Sequence, residues 1–270
     1  MVFRLPEMEL TRSDRIRGAV LGLLAGDKIG GPSRMALELA ESLIGSGRYD
    51  AADVIGCYKA WYDKEGFDTG QIAEMVFRRM NTLSNSSAVM DVDEYVGGLT
   101  AGCNPVHRAL PLALVSFVDE SELIEIANAE ARLTHRHPMA GAVSGTYLKI
   151  LRELIAGSTS SVLDIALEAS PADLRQYLND QWGCAPSRGG YAPDVLHAAL
   201  HFTNTAASFE EALESAVGFA GPTNYCPVLV GAIAGARFGC QAINTRNISH
   251  CCRSHLERAE KIGHQLARTW

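Results

Sequence analysis

The 270-residue chain carries 24 Lys and Arg against 31 Asp and Glu, a formal charge of −7 with histidines neutral, and 47% of its residues are apolar. That composition describes a globular protein with a sizeable core and excludes wholesale disorder, and its acidic balance argues against nucleic-acid binding through a general surface, since phosphate contacts draw on clustered Lys and Arg. No apolar run reaches the roughly 18 residues a membrane span needs, and the first residues, MVFRLPEMELTRSDR, are too charged for a secretory leader, so a cytoplasmic protein is expected.

Helical periodicity with small residues dominates from the start. Residues 15–25, RIRGAVLGLLA, place Gly18 and Gly22 four apart, a spacing that lets another helix approach closely. Residues 34–44 carry Met35, Leu39 and Leu43 on one face and Glu38 and Glu41 on another. Further helical patterns cover 51–64, 70–80, 106–117, 120–133, 140–155, 160–169, 171–178, 193–202, 209–217, 227–238 and 253–269. Ser208, with Glu211 three residues on, has capping-box spacing. Strand signals are almost absent, and neither a repeat nor a low-complexity linker is detectable. The expectation is a single all-α domain over 1–270. Loops rich in Gly, Pro and polar residues fall at 26–33, 64–70, 101–108, 134–138, 182–192 and 218–227, the composition that brings backbone close to a ligand.

The seven cysteines, at 57, 103, 184, 226, 240, 251 and 252, contain no CxxC pair and form neither a disulfide framework nor a zinc motif. His197 and His201, one helical turn apart, lack the glutamate of a zinc helix. His135 and His137 stand two apart with no third ligand in view.

Several loop residues carry chemistry. Asp27 follows the first helix and either caps neighbouring backbone or faces a cleft as a base or hydroxyl acceptor. Asp68 precedes a helix pattern, where an N-cap competes with a site role. His107 is a candidate general acid near neutral pH, and Arg108 a candidate bidentate partner for phosphate or carboxylate, with surface roles open for both. Gly30-Gly31-Pro32-Ser33 reads as a rigid helix start whose free N–H groups suit an anion, with Lys28 adding charge. Tyr191 reads as an aromatic ring at a cleft edge. Thr223-Asn224-Tyr225-Cys226, between two prolines, is a stiff polar turn in which Cys226 is either an inert buried thiol or a helix-start thiolate.

In order along the chain, these segments resemble the ADP-ribosylglycohydrolase family. The resemblance rests on Asp14-Arg15-Ile16-Arg17-Gly18-Ala19-Val20-Leu21-Gly22 with Ala25-Gly26-Asp27, on Met35-Ala36-Leu37, on Phe67-Asp68-Thr69-Gly70, and on Gly102-Cys103-Asn104-Pro105 where the family has a Gly-Asn-Gly turn. It continues through Thr134-His135, Gly190-Tyr191 and the last glycine-rich stretch around Gly231 and Gly235. It implies an all-α fold, cleavage of glycosidic bonds at ribose C1, and two Mg²⁺ ions held by carboxylates of two loops. Those loops fall here on Gly30-Gly31-Pro32-Ser33 and on 220–225, where Pro222 and Asn224 replace the aspartates. Because magnesium is usually anchored by one or two carboxylates, the paired metal site is expected to be absent.

The resemblance and its departures together lead to the expectation of a metal-independent hydrolase acting on a small molecule with ribose and phosphate or carboxylate groups. Asp27, Asp68 and His107 are its candidate catalytic groups. Lys28, Gly31, Ser33, Asn104, Arg108, His135, Tyr191, Asn224, Tyr225 and Cys226 are its candidate binding residues. A non-catalytic binding module and a cleft repurposed for other chemistry are the alternatives.

Overall fold

Thr11 and Asp14 open helix α1 (Arg12–Gly26) as a reciprocal capping box: the Thr11 hydroxyl accepts from the Asp14 N–H, and the Asp14 carboxylate accepts from the Thr11 N–H. The computed structural model describes residues 10–270; the first nine, on which part of the non-secretory reading rests, lie outside the described residues. Among the described residues the chain is all-α, with an isolated antiparallel bridge between Gly102 and Tyr191 and no strand. Among the described residues no helix is long and apolar enough to cross a membrane.

Helix α2 (Gly31–Ser46) starts three residues earlier than its apolar stripe, because Pro32 tolerates a first turn where its missing N–H has no intrahelical partner. Asp50 caps α3 (Ala51–Lys64), accepting from the N–H groups of Ala52 and Asp53. Next come α4 (Gln71–Arg79) and α5 (Asn85–Tyr95). The sequence reading has no helix at α5. Its only buried side chains are Ala88, Val89 and Val92, which form a small separate cluster with Val76, so the apolar stripe is too thin to stand out; the legible signal is Ser84, whose side chain accepts from the Ser87 N–H.

The single helix expected over 106–117 is two short ones, α6 (Asn104–Arg108) and α7 (Pro111–Leu114), because Pro111 cannot donate into the ladder and restarts it. They are followed by α8 (Leu123–Ala131), α9 (Pro138–Ile155), α10 (Val162–Ala169), α11 (Ala172–Gln181), α12 (Ala192–Asn204), α13 (Phe209–Ala220), α14 (Cys226–Phe238) and α15 (Arg253–Ala267). Ser208 caps α13 by accepting from the Glu211 N–H, but the Glu211 carboxylate reaches back to the N–H of Ala207 rather than to Ser208 itself.

One apolar cluster runs from Ile16 in α1 to Leu266 in α15. Helix α14 is buried along Cys226–Ala236 and lies directly against α1. The two glycines expected to admit a close neighbour do so: a Cβ on Gly18 would stand 2.1 Å from Gly235 O and one on Gly22 2.0 Å from Gly231 O; Gly26 extends the seam, where a Cβ would stand 1.9 Å from Pro227 O. This backbone-to-backbone seam brings the end of α1 and the start of α14, hence Asp27 and Asn224, into one place.

Candidate functional site

A cleft of about 330 Å³ opens where six chain segments converge. Its walls are Ile29 and Pro32 from the α1–α2 turn, and Asp68, Gly70, Gln71 and Ile72 at the start of α4. Gly102, Cys103, Asn104 and His107 come from α6 and its approach, and His135, Gly190, Thr223, Asn224 and Tyr225 complete it. The Gly102–Tyr191 bridge ties two of these segments together through Cys103 N–H to Gly190 O and Ala192 N–H to Ala101 O.

The start of α2 is not open to an incoming anion, which corrects the sequence expectation. Asp27 supplies the anion itself: Oδ1 accepts from Gly30 N at 2.7 Å and Oδ2 from Ser33 N at 2.7 Å. The Gly31 N–H is taken by the Asp68 carboxylate. Asp27 is buried and outside the cleft wall, with both oxygens engaged, so it anchors the helix start and is not placed to act as the expected base. Gly31 is required sterically, since a Cβ there would lie 2.4 Å from Asp68 O.

Asn224 joins the two aspartates. Its Nδ2 donates to Asp27 Oδ1 at 2.5 Å and to Asp68 Oδ2 at 3.1 Å. Its Oδ1 accepts from the Lys28 backbone N–H at 3.0 Å, which fixes the amide orientation independently of the carboxylates. Asp68 holds a left-handed backbone, φ 52, that places its half-buried carboxyl on the cleft wall. Burial first, and the neighbouring Asp27 charge second, raise its pKa to about 6.

His107 is buried on the opposite chain segment, its ring hydrogen-bonded to the Tyr225 backbone and its Nε2 without a protein partner. Burial lowers its pKa to about 4, so the ring is neutral at pH 7 and cannot be the general acid the sequence suggested; it presents a lone pair instead. His135 also reaches the cleft, and burial together with the Arg108 charge holds it well below the usual histidine range.

Arg108 does not line the cleft. It is fully buried, with Nε donating to Glu130 Oε1 at 2.6 Å, Nη1 to Asn104 Oδ1 at 2.8 Å and Nη2 to Thr134 Oγ1 at 2.9 Å. The guanidinium expected to bind ligand phosphate is consumed by the core, because an unpaired buried carboxylate at Glu130 would be costly.

The other candidates divide. Asn104, Asn224 and Tyr225 line the cleft. Lys28 contributes its backbone N–H but not its ammonium. Ser33 is buried behind the wall, its hydroxyl 3.0 Å from His255 Nε2. The ring of Tyr191 packs edge-on against Tyr177, centroids 6.0 Å apart, so Tyr225 and not Tyr191 is the aromatic wall. Cys226 is buried beyond the wall and its thiol is pushed up to about 12, the inert alternative. The sequence reading missed Gln71 and Ile72, which enter from the first turn of α4, and His255, which a distant helix carries to Ser33. His137 caps α9 by accepting from Met139 N–H.

The residues present do not fit the paired Mg²⁺ implied by the family pattern. A divalent ion needs hard oxygens aimed at it. Here Asn224 aims N–H groups at both nearby carboxylates while its oxygen is held on Lys28. Among the described residues no three His, Cys, Asp or Glu side chains gather as a metal site.

The molecule is thus an all-α shell whose first and last glycine-rich helices touch along their backbones, with an acid- and imidazole-bearing cleft at their junction. The chain belongs to the ADP-ribosylglycohydrolase family, whose profile matches residues 32–270. It is 25% identical over 210 residues to the ADP-ribosyl-[dinitrogen reductase] glycohydrolase of Rhodospirillum rubrum, a match covering 77% of this chain and 68% of that one. It is also similar to a solved structure described as an ADP-ribosylglycohydrolase-related protein complex, with a TM-score of 0.78, 26% identity, and coverage of 96% of this chain and 98% of the other.

Proposed function

We propose that the cleft hydrolyses the N- or O-glycosidic bond of a ribosylated or ADP-ribosyl-like small molecule by acid–base catalysis without a divalent metal. The observation that carries this reading is the pairing of His107, whose buried Nε2 has no protein partner, with the Asp68 carboxyl on the wall of the same cleft. Protonated Asp68 gives its proton to the leaving atom as the C1 bond breaks. Neutral His107 takes a proton from the water whose oxygen bonds to C1, and exchange with solvent restores both groups. The names of the relatives support an ADP-ribosyl substrate, and the Asn224 bridge supports metal independence.

The same bridge favours a second reading, a non-catalytic binding module that has kept the cleft without the ions. Purified protein incubated with ADP-ribosylated arginine, ADP-ribosylserine, NAD and simple ribosides, with and without EDTA, separates the two. Turnover unchanged by EDTA is expected. Turnover abolished by EDTA overturns metal independence, and a ligand-induced melting shift without turnover selects the binding module.

A further inference from the structure

We infer that Arg108 is a positioning residue that holds Asn104 and His135 as a fixed pair of hydrogen-bond donors for an oxygen acceptor on the ligand, an inference that rests on the cleft assigned above. A guanidinium only donates. Its Nη1 takes Asn104 Oδ1, the sole acceptor of that amide, at 2.8 Å. Asn104 Nδ2, on a residue that lines the cleft, has no protein acceptor among the described residues and is left for the ligand.

The second donor is set through a relay. Arg108 Nη2 donates to Thr134 Oγ1 at 2.9 Å, and Thr134 Oγ1 stands 2.8 Å from His135 Nδ1. With its oxygen accepting from Arg108, the Thr134 hydroxyl donates its hydrogen bond to Nδ1. A neutral imidazole that accepts at Nδ1 carries its hydrogen on Nε2. Burial beside the Arg108 charge keeps that ring neutral. Gly102 keeps the donor open: a Cβ there would stand 3.2 Å from Nε2. Arg108 is itself locked by Glu130, whose Oε1 also accepts from the Tyr58 hydroxyl at 2.9 Å. One buried cation thus sets the hydrogen-bonding sense of two cleft side chains. The pair suits a sugar hydroxyl or phosphoryl oxygen, both of which accept.

Two-bond ¹H–¹⁵N spectra of the full chain at pH 7, with His135→Asn to assign the ring, test the relay. A neutral His135 with its hydrogen on Nε2 is expected. In Thr134→Val the Nδ1 resonance should move to that of an unbonded imine nitrogen, while Thr134→Ser keeps the wild-type position. A hydrogen on Nδ1 in the wild type, or an Nδ1 resonance unmoved in Thr134→Val, overturns the relay. Gly102→Ala should raise KM about tenfold with kcat within about twofold, the size of one lost hydrogen bond. An effect on ribosides with and without phosphate identifies a hydroxyl acceptor, and an effect confined to phosphorylated ones a phosphoryl oxygen. An unchanged KM for every compound turned over overturns the ligand contact. Absence of turnover counts against the hydrolase reading alone, because the spectra still decide the relay.

Discussion

Asn224 Nδ2 lies 3.1 Å from Asp68 Oδ2 while the same nitrogen lies 2.5 Å from Asp27 Oδ1, so a neutral amide spans two carboxylates that an ion would otherwise be needed to join. Asn224→Asp replaces that donor with a third negative charge at a buried position. The variant should lose about 3 kcal/mol of stability in metal-free buffer and recover part of it on addition of Mg²⁺, whereas the wild type is indifferent to the ion. Thermal melts of both proteins with EDTA and with Mg²⁺ provide the measurement; a wild-type Tm raised by Mg²⁺ would contradict the account of the bridge.

The opposite pKa shifts of the two proposed catalytic groups set a pH profile. His107 must be unprotonated, so activity rises as pH climbs through about 4. Asp68 must be protonated, so activity falls as pH climbs through about 6. Because kcat/KM reports the free enzyme, its profile should be a bell between those values. Asp68→Asn should remove the alkaline limb and His107→Gln the acidic one, each with a loss of about 10²- to 10⁴-fold. A profile flat across this range in the wild type would rule out the assignment.

Buried neutral histidines also make the fold acid-sensitive. The folded pKa of His107 lies below its unfolded value, so between about 6.5 and about 4 the unfolded chain binds the extra proton, and stability falls as pH falls. On going from pH 7 to pH 5, His107 alone should remove about 2 kcal/mol. His255, lowered to about 4 by burial, and His135 act in the same direction. Urea titrations at both pH values should show a smaller loss in His107→Gln than in the wild type; an equal loss would place the sensitivity elsewhere.

The α1–α14 seam tolerates no side chain. In Gly22→Ala the new methyl would meet Gly231 O at 2.0 Å, a contact with backbone that no rotamer relieves, and the helices must part. A destabilisation of about 3 kcal/mol is expected from overpacking of this kind, outweighing the better helix propensity of alanine. Gly45, on the exposed end of α2 with nothing within 4 Å of a Cβ, is the control: Gly45→Ala should leave Tm unchanged or slightly raised. Thermal denaturation of the two variants side by side decides the point.

Local pattern carried the helices wherever an apolar stripe was wide, as in α1, α2, α9 and α15, and carried the α1 side of the glycine seam, because four-residue spacing is a property of the chain alone, while the helix that fills it was not legible. It failed at α5, whose buried face is three residues, and at Pro111, where a missing donor outweighed apolar continuity. The cleft loops were legible from their composition, and Asn104, Asp68, His107, Asn224 and Tyr225 came from them.

What the sequence alone determined is the all-α class, the readiness of the first helix to accept a close neighbour at Gly18 and Gly22, and the absence of aspartates at 30–33 and 220–225. What only the tertiary structure decided is which polar groups face the cleft and which are used up inside the protein. Asp27 fills the helix start that looked free for an anion, Arg108 satisfies Glu130 in place of a ligand, Tyr191 turns to Tyr177, and burial makes His107 a neutral acceptor. Each outcome depends on a partner far away in the chain, and hydrogen-bond partnership and desolvation exist only once those distant residues are brought together.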